Sequence, residues 1–158
     1  MSRFSVRRAT ETDVTLLAPL FDLYRQFYDK PPDPATAESF LRARLARGES
    51  VIFLAEPQGE PGALGFVQLY PSFSSVVARP IWVLNDLFVS PDARGLGVGR
   101  ALMEEARRHA IRTGAARLTL ETVAQNTRAW SLYESLGYVL ADESARFYAL
   151  ELDERDEP

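Results

Sequence analysis

Hydrophobic positions along the chain switch repeatedly between a two-residue and a helical period. Phe4 to Arg8 alternates as a short strand, and Thr10-x-x-Asp13 has the form of a capping box opening a helix. Leu16, Leu17, Leu20, Tyr24 and Phe27 follow at helical spacing and are expected to face a core. Pro31-Pro32-Asp33-Pro34 ends that helix, because consecutive prolines lack donors and restrict their neighbours. A second helix is expected from Thr36 to Arg47, closed by Gly48. Val51–Ala55 and Leu64–Tyr70 read as an antiparallel hairpin around the Gly- and Pro-rich turn Pro57 to Gly62, with Pro71–Ser75 a polar and aromatic connection.

The second half continues the alternation. Ile81–Val89 is a long strand and Gly97–Thr113 a helix ended by Gly114. Arg117–Val123 is a strand with Leu118 and Leu120 on one face, and Asn126 caps a helix that Gly137 ends. Tyr138–Leu140 and Arg146–Leu152 are expected to pair as a last hairpin around Asp142-Glu143-Ser144. Residues 153–158 read as a disordered acidic tail. No repeat or linker interrupts this order, so one α/β domain with a mixed sheet is expected over residues 1–158.

Composition narrows the chemistry. A length of 158 residues, 46% hydrophobic and 25% charged, suits one globular domain rather than a disordered chain. Eighteen basic against 22 acidic residues leave a net charge of −4, which argues against a general nucleic-acid partner. The apolar stretch Val51–Ala55 is far short of the roughly 18 residues that span a bilayer, so no membrane role is expected. Met1-Ser2-Arg3-Phe4 has no apolar signal core, and the expected location is the cytoplasm. With no cysteine and a single histidine, His109, no thiolate or multi-histidine metal site and no cysteine nucleophile are expected.

Two features break the structural pattern. Asn85-Asp86 places two polar residues inside an apolar strand, a local conflict of the kind that marks functional sites. Arg94-Gly95-Leu96-Gly97-Val98-Gly99-Arg100 joins that strand to a helix start, where unpaired N–H groups and the helix dipole favour an anion. The glycine spacing fits neither the nucleotide P-loop nor the dinucleotide fingerprint. A plain flexible turn is the structural alternative. Charge weighs against it: Arg94 to Arg128 carries seven arginines and three glutamates, a local +4 in a chain of −4. Arg107, Arg108 and Arg112 are read as a solvated helix face.

Arg94-Gly95-Leu96-Gly97-Val98-Gly99 matches R-x-x-G-x-G, and Asn126-x-x-Ala129-x-x-x-Tyr133-x-x-x-Gly137-Tyr138 matches N-x-x-A-x-x-x-Y-x-x-x-G-[FY]. In these motifs, and in the opening Val6-Arg7-Arg8-Ala9-Thr10 with Asp13, the chain resembles the GCN5-related N-acetyltransferase (GNAT) superfamily over residues 4–152. Leu69 to Ser74 and Trp82 to Val89 further resemble diamine and polyamine acetyltransferases and their yeast histone/polyamine relatives. The resemblance implies an α/β sandwich with a mostly antiparallel mixed sheet of six or seven strands and about four helices. The sheet should splay between Ile81–Val89 and Arg117–Val123.

The resemblance also implies acetyl-CoA as the acetyl carrier. Backbone amides from Gly95 through Leu96, Gly97, Val98 and Gly99 to Arg100, with Arg94, would cradle its pyrophosphate. Leu87, Phe88 and Val89 would pair with the pantetheine arm as a strand does, and an amide near Leu87 could polarise the thioester carbonyl. Asn126 would bond the carrier as well as cap its helix, and Tyr133 would be the general acid, with aromatic packing as its alternative. Tyr24, Phe27, Tyr28, Asp29, Phe73 and Glu121 are the expected acceptor contacts, aromatics and carboxylates suited to a cationic amine, although the aromatics suit a core equally well and for Phe27 the core is the better reading.

The base is where the chain departs from that resemblance. Diamine acetyltransferases carry Glu-Asp where this chain has Asn85-Asp86, and Asn85 takes no proton. Strand alternation sets Asn85 and Asp86 on opposite faces unless a bulge intervenes. Either the acceptor is a less basic amine or a water chain to Asp86 or Glu121 carries its proton, with a buried structural anchor as the alternative for Asp86. The expected activity is acetyl-CoA-dependent acetylation of an amine (small molecule, polyamine, amino acid or peptide), with a homodimer compatible. The rival readings are a catalytically weak acyl-CoA sensor, favoured by Asn85, and a nucleotide-dependent transferase.

Overall fold

A computed structural model describes residues 3–152; the expected acidic tail lies outside the described residues. The chain divides into two compact units, one ending at Glu121 and the other beginning at Thr122. In the first unit β1 (Phe4–Arg8) leads through a 3-10 turn at Glu11–Asp13 into α1 (Val14–Phe27) and α2 (Pro34–Ala46). There follow β2 (Val51–Pro57), β3 (Gly65–Ser74), β4 (Arg79–Val89), a 3-10 turn at Pro91–Ala93, α3 (Val98–Arg112) and β5 (Leu118–Thr119). The described strands form one mixed sheet in the order β1-β2-β3-β4-β5, antiparallel except for the parallel β4–β5 pair.

Alternation along the strands sends side chains to two helical layers. Ile52, Leu54 and Phe66 point to α1 and α2, where they form one core with Val14, Leu17, Leu20, Phe21, Ala37 and Leu41. The opposite face packs on α3. There a Cβ at Gly65 would stand 3.2 Å from Val98 Cγ1 and 3.3 Å from Leu102 Cδ1, so only glycine allows this approach. His109 of α3 lies between the rings of Phe53 and Trp82, at centroid distances of 5.5 and 4.8 Å.

Polar clamps fix the ends of elements. Arg7 holds Asp13 through two bonds of 2.9 and 2.7 Å and Glu56 through a third of 2.9 Å. Those bonds from Arg7 hold the Asp13 carboxyl below the usual carboxylate range. Asp13 also accepts the Thr10 N–H at 2.7 Å, as the capping box predicts. Asp22 accepts from Gln26 Nε2 (3.1 Å) and from the Asp33 N–H (2.9 Å), tying α1 to the turn before α2.

Several expectations need correction. Phe27 is 61% exposed, because the last turn of α1 has run past the surfaces it packs on and leaves this ring only Tyr28, at 5.3 Å. Pro71–Ser75 is not a connection, since β3 continues through Ser74 and pairs with β4 as far as Ser74↔Arg79. Pro71 is tolerated because Tyr70 pairs with β4, so position 71 turns toward the β2 side, where the ladder already ends at Leu69.

The sheet has five strands among the described residues rather than six or seven. The expected strand Arg117–Val123 is reduced to Leu118–Thr119. In the second unit, α4 (Thr127–Ser135) forms as expected, capped by Asn126 Oδ1 accepting the Ala129 N–H at 3.4 Å. Tyr138–Leu140 and Arg146–Leu152 form no strands. Between them Asp142 Oδ1 takes the Ser144 N–H (2.7 Å) and hydroxyl (2.6 Å), a local turn in place of the Gly- or Asn-based loop a tight hairpin needs.

Candidate active site

The site grows out of one irregularity in β4. Gln68 pairs with Asp86 but Leu69 pairs with Leu84, so Asn85 is an extra residue without a partner on β3. Such a bulge shifts the alternation by one residue. Asn85 and Asp86 therefore fall on the same face, toward α1, and Asn85 Nδ2 donates to Asp86 Oδ1 at 2.9 Å. Asp86 is buried, with 3% exposure, while Asn85 is exposed. The other carboxylate oxygen, Oδ2, accepts from Gln68 Nε2 at 2.5 Å.

The same shift re-aims the backbone. Before the bulge the Trp82 N–H donates to Arg117 O (3.2 Å), and Ala116 N–H donates to Pro80 O (2.9 Å), so even-numbered residues face β5. Beyond it the Ser90 N–H donates to Leu64 O (2.8 Å), so even-numbered residues face β3. Leu87 and Val89 consequently turn their N–H and C=O groups to the β5 side. The β4–β5 ladder covers only Trp82↔Leu118 and Val83↔Thr119, so the sheet opens there. One acceptor on this edge, Val89 O, takes a bond from Arg94 Nε at 3.3 Å. Phe88 keeps its backbone toward β3 and its ring toward α1, 6.4 Å from Tyr24.

Beyond β4 the glycine loop bends back into α3. Gly95 and Gly97 have φ of +79° and +82°, the left-handed region that L side chains rarely adopt. The first intrahelical bond is from the Ala101 N–H to Gly97 O (3.1 Å). The amides of Val98 and Gly99 precede it and have no carbonyl within the helix, the arrangement that receives anions. Nothing lies within 4 Å of the position a Cβ would take at Gly95 or Gly97, so the loop's surface is open. Leu96 is half exposed at its crest, and the Arg94 guanidinium lies 5.9 Å over the Phe88 ring.

On the α1 side, the Tyr24 hydroxyl stands 3.5 Å from Asn85 O, close enough to the Asp86 carboxylate to feel its charge. Burial first, and then the Asp86 charge, push the Tyr24 phenol well above its ordinary range. The same two causes push Tyr70 of β3 up to about 12. Both phenols stay protonated near neutral pH, so neither accepts a proton there. Tyr28 packs edge-on against Tyr24 at 5.1 Å and against Phe27 at 5.3 Å. An aromatic path thus runs from the exposed end of α1 to the buried carboxylate.

The remaining expected site residues stand apart. Asp29 adopts φ +62° and its N–H donates to Gln26 O (3.0 Å), which makes it part of the α1 terminus. Phe73 lies five positions along β3 from Gln68, on the alternate face and 80% exposed, and is not brought to Asp86. Glu121 is exposed just beyond β5. Asn126 and Tyr133 belong to the second unit, where the Tyr133 ring packs 6.3 Å from Tyr138. Gln68 and Tyr70 were missed as site residues. A polar residue within Phe66-Val67-Gln68-Leu69 is the same signal that singled out Asn85-Asp86.

A bulged strand, an opened sheet edge and a left-handed glycine loop before a helix set an anion-receiving turn beside a free strand edge in an α/β fold, and sequence comparison places that fold in a family. The Acetyltransferase (GNAT) family model matches residues 17–138. The chain is 49% identical over 134 residues to an uncharacterized N-acetyltransferase, YhfO, of Bacillus subtilis (strain 168), covering 85% of this chain and 89% of that protein. A crystal structure of a probable acetyltransferase superposes with TM-score 0.87 at 40% identity, covering 94% of this chain and 98% of that one. Thialysine N-epsilon-acetyltransferase of Bos taurus is 37% identical over 82 residues, 52% of this chain and 47% of that protein.

The chain belongs to the GNAT family and is an N-acetyltransferase, an enzyme that transfers acetyl groups to amines. The family uses acetyl-CoA as co-substrate, and the open left-handed loop and the unpaired Leu87–Val89 edge fit a carrier with a diphosphate and an amide-bearing arm. Among the described residues no helix is long and apolar enough to cross a membrane.

Proposed function

We propose that this enzyme acetylates a small cationic amine, with Asp86 taking the proton the acceptor must lose and Tyr133 protonating the departing sulfur. Acetyl-CoA supplies the acetyl group as an activated thioester. The amides of Gly95 to Arg100 hold its diphosphate, Leu87 and Val89 pair with its amide-bearing arm, and Asn126 adds a contact beside its capping role. The single observation carrying this reading is the Asn85 bulge. Because Asn85 bulges out of the ladder, Leu87 and Val89 face the open edge and the Asp86 carboxylate lies on the face lined by Tyr24.

Energetics favour a base at this point. An amine of pKa about 10.4 costs roughly 4–5 kcal/mol to present neutral at pH 7, against about 1–1.5 kcal/mol for an α-amine near 8. A carboxylate behind an aromatic path attracts the ammonium form and then removes its proton. Tyr24 and Tyr70, held protonated beside the Asp86 charge, do not compete for that proton. The likeness to a thialysine acetyltransferase supports a side-chain amine as the acceptor.

The test is thiol release from acetyl-CoA against a panel of lysine analogues, diamines, polyamines and peptide N-termini. Amine-dependent release, slowed in Asp86→Asn, is the expected result. Tight binding of the carrier without release by any amine at any pH would replace this reading with that of an acyl-CoA sensor.

A further inference from the structure

We infer that Gln68 is a positioning residue for the transfer reaction: its side-chain amide locks the Asp86 carboxylate in the orientation that receives the acceptor's proton. The inference rests on the reading of Asp86 as proton acceptor. Gln68 sits in the middle of β3 between Val67 and Leu69, and all three have 0% exposure. Its Nε2 donates to Asp86 Oδ2 at 2.5 Å, while its Oε1 has no hydrogen-bond partner. An apolar side chain of the same volume would fill the space but leave the buried Asp86 Oδ2 without this donor, so the glutamine is there for the carboxylate rather than for packing alone.

The register explains what the amide does. Gln68 lies directly across from Asp86, at the step just before the ladder is displaced by Asn85. The carboxylate is then gripped on both oxygens, by Gln68 Nε2 from β3 and by Asn85 Nδ2 from β4. Two bonds from two strands stop the carboxylate from rotating and fix which lone pairs are left for the acceptor. The other ionisable groups acting around it are Tyr24 of α1, with Tyr28 behind it, and Tyr70 of β3, which also feels Arg44 of α2. Gln68 alone among these neighbours is wholly enclosed, so it can serve only through Asp86.

The experiment is a double-mutant cycle on the full-length enzyme, with unfolding temperature and coenzyme A affinity measured alongside. Gln68→Met keeps the volume and removes both polar atoms. It is expected to fold, to bind coenzyme A as the parent does, and to lose about tenfold in kcat, the effect of one hydrogen bond to a charged group. On an Asp86→Asn background the same change should alter the residual kcat by less than about twofold, whereas a merely structural role would give the same loss on both backgrounds. Full kcat in Gln68→Met beside a slow Asp86→Asn, or equal losses on both backgrounds, overturns the role of Gln68 alone. Parental turnover in Asp86→Asn overturns the reading of Asp86 and the inference with it. Should Gln68→Met fail to fold, Gln68→Glu sets a second carboxylate against Asp86 and must lower kcat; unchanged turnover there also overturns the inference.

Discussion

Replacing Gly97 by alanine separates the conformational role of the glycine loop from its openness. Gly97 is the residue before the first turn of α3 and holds φ at +82°. An L side chain in that region costs about 1–2 kcal/mol. No clash adds to this, since nothing lies within 4 Å of the new Cβ. For a chain of this size each kcal/mol lowers Tm by about 2–4 °C, so a fall of roughly 2–8 °C is expected. The strained residue relieves itself by leaving the left-handed region, which turns the neighbouring amides out of their common direction. Losing one N–H bond to a charged oxygen costs about 1.5–3 kcal/mol, or at least about tenfold in Kd. Calorimetric titration with coenzyme A should show that loss, while pantetheine, which lacks the diphosphate, should bind as it does to the parent. Gly97→Asn, whose side chain tolerates the left-handed region, should recover most of both quantities. Parental coenzyme A affinity in Gly97→Ala would refute the assignment of these amides, and equal losses for Ala and Asn would refute the conformational argument.

Gly65→Ala should destabilise the enzyme by about 1–3 kcal/mol in chemical denaturation, because the new Cβ would stand 2.8 Å from Phe88 O, an atom committed to the β-ladder. A denaturation midpoint equal to the parent's would show that β3 and β4 do not approach at Gly65 as described. Burial first, then Arg8 and Arg112, hold the His109 imidazole below its ordinary 6.5, although Glu105 opposes them. The unfolded chain thus binds the proton more readily, so stability from neutral His109 is complete above about pH 6.5 and is lost as pH falls through the folded-state value. His109→Phe, which keeps a ring between Phe53 and Trp82, should flatten the dependence of Tm on pH between about 5 and 7; an unchanged slope would assign that dependence elsewhere. Tyr133→Phe should retain coenzyme A affinity and lose about 100-fold or more in kcat, the scale of general acid catalysis, whereas parental turnover would remove it as the acid.

Elements whose signals are local were legible in the sequence. Caps at Thr10 and Asn126 and stops at Gly48 and Gly114 set helix ends to within a few residues, because each depends on one side chain or one dihedral angle. Elements that depend on a partner were not. β3 extends through Pro71 only because the β2 ladder has already ended, which no property of residues 71–74 announces. Tyr138–Leu140 and Arg146–Leu152 have apolar content fit for strands, yet composition supplies no partner, and an unsupported pair of strands is marginal in water. Phe27 has the spacing of a core residue but stands where the helix has outrun its neighbours.

The site was legible to the same extent and failed for the same reason. Asn85-Asp86 and the glycine loop stood out because polar residues and left-handed glycines contradict their surroundings. What they do depends on register. With uniform alternation Asp86 would lie on the face opposite Asn85, and Leu87 would spend its N–H and C=O on β3. Because Asn85 bulges out of the ladder instead of taking a place in it, both change at once, and Asp86 falls on the face of Asn85. A deletion of Asn85 would remove the amide and the bulge but leave Leu84 opposite Leu69 and Asp86 opposite Gln68, so Leu87 and Val89 would still face the open edge and Asp86 would keep its Gln68 partner. Coenzyme A affinity should therefore survive that deletion, and its loss would contradict this register.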